Sequence, residues 1–317
     1  KGIGMKIISL LHFSPHYQKA LAESFPEHEL RHYRNFSEIP VLERQACEIL
    51  WTYGSGLADQ LAAFINLRWI HIGQSGIEEV PRREILKHGI RLSYSSGVNA
   101  IMVAEYLIAM VLNFAHRLYD YAESARSHHW NYELIQEEAY GKRVGIVGLG
   151  AIGRETALRL RALGLKIYGF GRQARSDFED LDHYAPSSDI GDYLPELDYV
   201  ILSLPANPST QNFFSTKEFE LLQPHACLIL ASRASVLNFE ALEKALRGGR
   251  LRAAAIDVFE TEPLPEDSQL WDCPNLVITP HIAGARFREY NQRLHQLVSA
   301  NLRAFLKQQA LQNELLH

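Results

Sequence analysis

Three polar residues in the last third of the chain have side chains that together can carry out acid and base chemistry on an anionic substrate. Arg233, Glu262 and His281 each come shortly after a predicted β-strand. A histidine titrates near neutral pH, a neighbouring carboxylate would orient it and favour its protonated form, and a guanidinium binds carboxylates through paired hydrogen bonds. Taken singly, such residues are more often a structural histidine, a Glu-Pro loop and a surface cation. A catalytic role for the three residues therefore needs support from the rest of the sequence.

A glycine-rich motif supplies part of that support. Residues 148–153 read G-x-G-x-x-G, directly after the predicted strand 143–147 and at the start of an amphipathic helix over 151–163. The first glycine permits a tight turn, the second lets the backbone approach a pyrophosphate, and the third lets helix and strand pack closely. The alternative is a plain glycine turn in an unrelated α/β sheet. We expect a dinucleotide site that includes Gly148, Leu149, Gly150, Ala151, Ile152 and Gly153.

The residue that separates NAD from NADP binding is expected at Gly171, which follows the second predicted strand of this unit. NAD-binding proteins usually have Asp or Glu there, because a carboxylate accepts hydrogen bonds from the ribose hydroxyls. Here the next residues include Arg172 and Arg175, whose guanidinium groups match the oxygens of a 2′-phosphate. The pattern predicts NADP(H) in preference to NAD(H). Both arginines would also be explained as surface cations paired with the acidic residues at 179–182.

The elements that must position these residues alternate between predicted strands, seen as short apolar runs, and predicted helices, which is typical of an α/β protein. A first series contains predicted strands at 6–11, 47–51, 69–72 and 90–94, with a helix at 16–25. A second series contains predicted strands at 143–147, 166–170, 199–204, 227–230, 255–258 and 276–279. Six strands with helices between them are typical of a complete Rossmann-type sheet. The fold class is therefore α/β with two doubly wound Rossmann-like domains, a flavodoxin-like substrate domain and an NAD(P)-binding domain.

Two long helices are expected to connect these domains. The stretch 99–118 is apolar and lacks Gly and Pro, and the C-terminal helix at 287–306 lies beyond the last strand. We therefore assign residues 1–98 with 287–317 to substrate binding and residues 99–286 to dinucleotide binding.

Composition excludes several other classes of protein. A net charge of −5 argues against a general binder of nucleic acid, and no apolar run approaches the roughly 20 residues of a membrane span. The apolar stretch at 7–11 is too short for a signal peptide. Cys47, Cys227 and Cys273 lack the spacing of a zinc site or a disulfide framework. We expect a cytoplasmic protein with no metal, no membrane and no nucleic acid partner.

The glycine motif and three later segments together resemble the D-isomer-specific 2-hydroxyacid dehydrogenase family. These segments are Ala-Ser-Arg at 231–233, Asp-Val-Phe-Glu-Thr-Glu-Pro-Leu-Pro at 257–265 and Thr-Pro-His-Ile-Ala-Gly at 279–284. Order and spacing agree over nearly the whole chain, and the loop with its arginines looks most like the glyoxylate and hydroxypyruvate reductase branch. The resemblance implies reduction of a 2-keto acid, with Arg233, Glu262 and His281 as the catalytic set.

The same resemblance implies further site residues. Asp257 matches the residue that holds the nicotinamide carboxamide, although an Asp at a strand end often only caps the next turn. The remaining cofactor contacts are expected at Pro205 and Ser232. In the first domain, Ser75 and Gly76 match the family's loop whose backbone amides bind the substrate carboxylate. Independently of the resemblance, the loop with Trp51, Tyr53 and Gly54 follows another predicted strand, where α/β sheets bind ligands, and is expected to contact the substrate. Packing in the core would explain Trp51 and Tyr53 equally well. Trp130 resembles the arm that crosses the dimer interface in this branch, which implies a homodimer and a contact with the neighbouring subunit's active site.

Some features depart from the family pattern or leave alternatives open. Leu230 and Ala234 stand where the family commonly has Asn and Gly, so the backbone conformation and the contact geometry of Arg233 are open questions.

Two other functions are compatible with parts of the sequence. A protein that senses NAD(P) and acts by association, like the family's corepressors, would also retain the three catalytic residues. A formate dehydrogenase is less compatible, because that branch pairs its histidine with Gln rather than with an acid such as Glu262.

Overall fold

The computed structural model describes residues 4–172, 181–284 and 288–316, and the chain divides into two compact units. The first unit comprises Lys1–Asn99 and Arg286–His317, and the second comprises Ala100–Ala285. The assignment of substrate binding to the first unit stays a prediction.

The first unit is built on a five-stranded parallel sheet with the strand order β2-β1-β3-β4-β5. Its strands are β1 (Lys6–Ser9), β2 (Glu29–His32), β3 (Ile49–Thr52), β4 (Trp69–Ile72) and β5 (Arg91–Tyr94). Its first helices are α1 (Pro15–Ser24), α2 (Val41–Ala46), α3 (Leu57–Gln60) and α4 (Arg82–Lys87). This strand order is that of flavodoxin-like folds, as expected. Strand β2 was not predicted, because an edge strand that alternates between exposed and half-buried residues lacks an apolar run.

The second unit is built on a seven-stranded parallel sheet with the order β12-β11-β10-β9-β6-β7-β8. Its strands are β6 (Arg143–Val147), β7 (Lys166–Gly171), β8 (His183–Pro186), β9 (Tyr199–Leu202), β10 (Cys227–Leu230), β11 (Ala253–Ile256) and β12 (Leu276–Ile278). The predicted count of six strands was wrong, because β8 is a short edge strand with polar residues. The order reverses between β6 and β9, where doubly wound sheets bind ligands at the carboxyl ends of the strands.

The helices of the second unit include one that ends earlier than predicted. These helices are α5 (Ala100–His116), α6 (Leu118–Arg126), α7 (Ala151–Ala162), α8 (Thr216–Leu221) and α9 (Phe239–Arg247). The expected single helix over 99–118 is interrupted at Arg117, whose φ of 55° is left-handed, and α5 and α6 meet at a bend of 68°. None of the described helices is by itself long and apolar enough to span a membrane, and only this bent pair reaches that length and apolarity jointly.

The C-terminal helix α10 (Arg288–Leu306) belongs to the first unit. Its buried side chains Leu294 and Val298 share one hydrophobic cluster with Trp51 and Trp69 of the sheet. The helix therefore covers one face of the first sheet.

A chain of buried hydrogen bonds links β4 to β5. Trp69 Nε1 donates to Ser93 Oγ at 2.9 Å. The His71 ring contacts Ser93 Oγ through Nδ1 at 2.8 Å and Ser95 Oγ through Nε2 at 3.0 Å. Since Ser95 Oγ donates to the Ile72 carbonyl at 3.1 Å, it accepts from His71 Nε2, and Nδ1 accepts from Ser93. This arrangement uses every polar hydrogen when His71 is neutral, and burial lowers its pKa to about 3.

Replacing His71 with Gln should make the stability of the protein less sensitive to acid. The unfolded chain binds a proton at His71 below pH 6.5, whereas the folded protein does so only near pH 3. The stabilisation from neutral His71 is therefore complete above pH 6.5 and is lost as the pH falls towards 3. Between pH 6.5 and about pH 5, wild type should lose about 2 kcal/mol more free energy of unfolding than H71Q, as measured by urea denaturation.

The matched control for this experiment is His88→Gln, at an exposed position beyond α4. It should retain the pH dependence of the wild type. An H71Q protein that loses stability with acid as steeply as wild type would contradict the role given to His71.

Candidate active site

The glycine loop joins β6 to α7 at the carboxyl edge of the second sheet. A Cβ atom at Gly148, whose φ is +100°, would lie 2.4 Å from the Ser203 carbonyl oxygen. One at Gly153 would lie 2.1 Å from the Gly148 carbonyl oxygen. Both positions therefore require glycine. A Cβ atom at Gly150 would meet no atom within 4 Å, so the second glycine leaves its backbone open to a ligand.

The first turn of α7 offers backbone amides to an anion. Gly150 precedes this 12-residue helix and makes no side-chain cap, because glycine has no side chain. The helix dipole adds partial positive charge at the same end. Ala151 is exposed there, whereas Leu149 and Ile152 pack against the core. The open approach at Gly150 and this uncapped helix end fit the pyrophosphate of a dinucleotide.

The other residues expected to contact the cofactor follow later strands of the same sheet. Arg172 is exposed directly after β7, and Arg175 lies outside the described residues. Pro205 is exposed after β9, and its carbonyl accepts a hydrogen bond from Thr210 Oγ1 at 2.7 Å. Ser232 is buried, and its hydroxyl donates to the Leu202 carbonyl at 3.0 Å. Their contacts with a cofactor stay predictions.

The three residues expected to be catalytic line one pocket of about 480 Å³ in the second unit. His281 Nδ1 lies 2.7 Å from Glu262 Oε2, and Glu262 Oε1 accepts a hydrogen bond from the Phe259 amide at 2.9 Å. Arg233 Nη1 donates to the Ser232 carbonyl at 2.9 Å. The structure therefore brings an acid-base pair and a guanidinium together in one cavity.

The turn that carries His281 depends on the buried carboxylate of Asp257, which is 1% exposed. His281 has a φ of 53°, in the left-handed region that residues with a side chain seldom adopt. Asp257 Oδ1 accepts hydrogen bonds from Thr279 Oγ1 at 2.6 Å and from the Ile282 amide at 2.9 Å. Asp257 Oδ2 accepts a hydrogen bond from the Ala283 amide at 2.9 Å. Asp257 thus stabilises the turn after β12, and its contact with a nicotinamide carboxamide stays a prediction.

Tyr106 extends this network and was not found from the sequence. Its hydroxyl lies 2.8 Å from Thr279 Oγ1. Because Thr279 gives its own hydrogen to Asp257, Tyr106 is the donor in that contact. Burial raises the pKa of Tyr106, so the hydroxyl keeps its proton. Tyr106 lies in the middle of the apolar helix α5, where no local pattern marks it as a partner of a residue so distant in sequence.

The two departures from the family pattern leave the backbone at Arg233 undistorted. Leu230 is the fully buried last residue of β10. Arg233 has extended backbone angles, with φ −139° and ψ 132°, and Ala234 begins a short 3₁₀ turn, Ala234–Val236. Ala234 is not among the residues with positive φ, so the position does not require glycine.

One of the substrate contacts expected in the first unit is corrected by the structure. Trp51 lies within β3, is fully buried, and packs against Trp69 with ring centroids 6.1 Å apart. It is a core residue because β3 continues through Thr52, so Trp51 does not line a substrate pocket. Tyr53 and Gly54 do follow the strand, and the half-buried Tyr53 hydroxyl accepts the His12 amide at 3.3 Å.

The loop after β4 is held by the buried network described above. Ser75 Oγ donates to the Ser95 carbonyl and is also within hydrogen-bond distance of Asn99 Oδ1, both at 3.1 Å. The Ser95 amide donates to the Gln74 carbonyl at 3.2 Å, and Gly76 is buried. The loop is therefore held at Gln74 and Ser75, while the binding of a substrate carboxylate by Ser75 and Gly76 stays a prediction.

Trp130 lies in the segment that follows α6. Its side chain is 91% exposed, as is that of Tyr132. Both line a groove of about 530 Å³ together with residues of α6, including Tyr121 and Ser124. Large apolar side chains exposed in this way are typical of surfaces that bind another protein.

Comparison with known proteins defines the class to which this fold and pocket belong. Residues 108–283, more than half of the chain, match the profile described as D-isomer specific 2-hydroxyacid dehydrogenase, NAD binding domain. The chain belongs to the D-isomer-specific 2-hydroxyacid dehydrogenase family and is an NAD(P)-dependent oxidoreductase. The family resemblance and the α/β fold class expected from the sequence are confirmed.

Individual relatives indicate which branch of the family this chain resembles. The chain is 33% identical to a glyoxylate reductase of Thermofilum pendens, over 79% of this chain and 75% of the relative. It is 34% identical to a glyoxylate reductase/hydroxypyruvate reductase of Mus musculus, over 80% of this chain and 78% of the relative. A crystal structure of a family member from Aeromonas salmonicida has a TM-score of 0.85 and 26% identity, with 98% of both chains covered. These relatives support NAD(P)-dependent reduction of 2-keto acids and confirm the resemblance to the glyoxylate reductase branch.

Replacing Asp257 with Asn should loosen the turn that carries His281. The amide places an NH₂ group where a carboxylate oxygen accepted a hydrogen, which leaves a buried donor unsatisfied at a cost of about 1–3 kcal/mol. Hydrogen exchange at the Ile282 and Ala283 amides should accelerate about tenfold or more. Asp267→Asn, which removes an exposed carboxylate, should leave both rates unchanged. Wild-type protection of both amides in D257N would show that Asp257 does not hold the turn.

Proposed function

We propose that the protein reduces a small 2-keto acid of the glyoxylate or hydroxypyruvate type, with His281 as proton donor and NADPH preferred over NADH. The proposal is carried by the 2.7 Å contact between His281 Nδ1 and Glu262 Oε2 in the pocket that Arg233 also lines. The relatives from Thermofilum pendens and Mus musculus are both named for glyoxylate reduction, and the second also for hydroxypyruvate reduction, which supports the substrate class. A bound reduced nicotinamide supplies the hydride.

Glu262 determines which nitrogen of His281 delivers the proton. An ionised carboxylate only accepts hydrogen bonds, so Nδ1 carries a hydrogen that it donates to Glu262 Oε2. Nε2, on the side of the ring away from Glu262, then holds the proton that passes to the substrate's carbonyl oxygen. The carboxylate also stabilises the positive charge of the protonated ring before the transfer. In the reverse direction, Nε2 accepts the hydroxyl proton of the 2-hydroxy acid.

Arg233 supplies the positive charge that an anionic substrate requires. A guanidinium binds the substrate carboxylate through paired hydrogen bonds and stabilises negative charge that develops on the carbonyl oxygen. We retain the prediction that the amides at Ser75 and Gly76 also bind the carboxylate, supported by the fixed backbone of that loop. Tyr53 and Gly54 remain proposed substrate contacts.

Replacing His281 with Ala should lower kcat for glyoxylate or hydroxypyruvate by about two to four orders of magnitude, the usual contribution of general acid catalysis. Equilibrium binding of NADPH should be retained. Glu262→Gln should cause a smaller loss of kcat, because the amide still orients the ring but does not stabilise its charge. Arg233→Ala should raise KM and lower kcat together.

The control for the charge change is Glu266→Gln, at an exposed position four residues beyond Glu262. Its turnover should equal that of wild type. Full turnover in H281A would remove His281 from the mechanism, and a wild-type protein that binds NADPH but turns over no 2-keto acid would favour a sensor that acts by association.

The proposed preference for NADP(H) is supported by Gly171, Arg172 and Arg175. Exchanging both arginines for Ala should weaken NADPH binding by about tenfold or more and leave NADH binding nearly unchanged, because only NADPH carries the phosphate. Lys166→Ala, at the opposite end of β7, removes a positive charge and should affect neither. Equal losses for both cofactors would reject the assignment.

We further propose that the functional unit is a homodimer in which Trp130 reaches the neighbouring subunit's active site. The support is the exposed apolar surface around Trp130 and Tyr132, which burial against a second copy would remove from water. An ordinary interface anchor would explain the same exposure. We also propose the cytoplasmic location expected from the sequence, since the three cysteines are buried and unpaired, as is usual in a reducing compartment.

Mixing a Trp130→Ala variant with a His281→Ala variant tests the contact between subunits. If Trp130 acts on the neighbouring site, a hybrid dimer contains one site that lacks both residues and one that lacks neither. Activity should therefore rise towards half the wild-type value per hybrid as subunits exchange. Hybrids that form without any gain in activity would place Trp130 in its own subunit or only at the interface.

A further inference from the structure

A tyrosine on the neighbouring strand takes the space beside Gly171, the last residue of β7. Strands β7 and β8 pair in parallel, with Gly169 opposite Tyr184 and Gly171 opposite Pro186. Because side chains alternate between the faces of a sheet, Gly169 and Gly171 leave the same face of β7 bare. A Cβ atom at Gly171 would lie 2.8 Å from Tyr184 Oη and 3.4 Å from Tyr184 Cε2. The tyrosine therefore lies along β7, with its hydroxyl beside Gly171.

The Tyr184 ring is held there by packing. A Cβ atom at Gly169 would lie 2.6 Å from Leu181 Cδ1 and 2.8 Å from Leu149 Cδ1, so both leucines occupy the other half of this bare face. All three side chains pack in the hydrophobic cluster beneath α7. Moving the ring would open a gap in that cluster, so the position of the hydroxyl is fixed by the core.

The end of β7, where the Tyr184 hydroxyl lies, is joined to the glycine loop. The Gly148 amide donates to the Phe170 carbonyl at 2.8 Å, which joins the start of that loop to the end of β7. A carboxylate at position 171 would point from this edge towards the ribose of a dinucleotide. In this chain the Cβ of such a residue would collide with Tyr184 Oη. The Tyr184 hydroxyl therefore occupies the space that the side chain of such a residue would need.

We propose that Tyr184 determines cofactor specificity: its ring keeps a carboxylate from position 171, and its hydroxyl donates a hydrogen bond to the 2′-phosphate of NADP(H). The proposal rests on the NADP(H) preference proposed above and adds a residue outside the arginine segment to it. A phosphate oxygen only accepts hydrogen bonds and is repelled by a carboxylate, whereas a tyrosine hydroxyl donates without charge repulsion. Arg172, the next residue after β7, adds positive charge at this edge.

Two probes that differ only in the 2′-phosphate test the hydrogen bond: adenosine 2′,5′-bisphosphate and adenosine 5′-monophosphate, with binding measured by titration calorimetry. Tyr184→Phe keeps the ring and removes the hydroxyl. It should weaken the bisphosphate about tenfold, the loss typical of a hydrogen bond to a charged group, and change the monophosphate less than about twofold. Tyr168→Phe removes a hydroxyl from the opposite face of β7 and should change neither.

The steric half of the proposal is tested by Gly171→Asp, alone and with Tyr184→Ala. Alone, the new side chain collides with Tyr184, so NAD⁺ binding should not improve and NADP⁺ binding should weaken at least tenfold. With Tyr184→Ala the carboxylate gains room, so NAD⁺ should bind about tenfold more tightly than to G171D. A G171D protein that gains NAD⁺ affinity with Tyr184 in place would overturn this half.

The outcomes separate this proposal from the one on which it rests. If wild type binds the two adenosine probes equally, the NADP(H) preference fails and the role of Tyr184 fails with it. If wild type prefers the bisphosphate and Y184F keeps the full preference, only the role of Tyr184 is wrong. If Y184F weakens the binding of both probes equally, the tyrosine supports the fold of the site but makes no hydrogen bond to the 2′-phosphate.

Discussion

The buried carboxylate of Asp257 is the constraint on which the position of His281, the proposed proton donor, depends. Its oxygens accept hydrogen bonds from the Thr279 hydroxyl and from the amides of Ile282 and Ala283. These bonds stabilise a turn in which His281 has a positive φ. That turn places the imidazole against Glu262. A buried charge with several hydrogen bonds is costly to disturb, which makes it suited to holding a strained turn in one conformation.

The second sheet explains why residues so far apart in sequence belong to one site. Its parallel strands all end at the same edge, and the order reverses between β6 and β9. The glycine loop follows β6, Arg172 follows β7, Pro205 follows β9, Arg233 follows β10, Asp257 follows β11 and His281 follows β12. In the proposed function, a cofactor bound along this edge would meet specificity residues near β7 and proton-transfer residues near β10 to β12. The sheet would then separate cofactor selection from catalysis while supporting both.

The sequence predicted most of the residues of this edge because their signals are local. The G-x-G-x-x-G motif requires glycine for packing at two of its positions, and the strand before it is buried from its second residue onward. Contacts between distant segments left no such signal: Tyr106 meets Thr279 from a helix, and Tyr184 covers Gly171 from a strand that was itself missed. Trp51 was misassigned because an apolar residue near a strand end fits a core and a pocket equally well.

If His281 donates the proton as proposed, Asp257 should act on the reaction through His281, and a double-mutant cycle on kcat tests this most directly. Asp257→Asn and His281→Ala should each lower turnover, but D257N should cost nothing further in the H281A background, since the residue it positions is gone. The measurement needs saturating cofactor and substrate for all four proteins, so that binding does not enter. If the two losses instead multiply, Asp257 contributes independently of His281, as a direct partner of the nicotinamide carboxamide would, and its role through the turn would be contradicted.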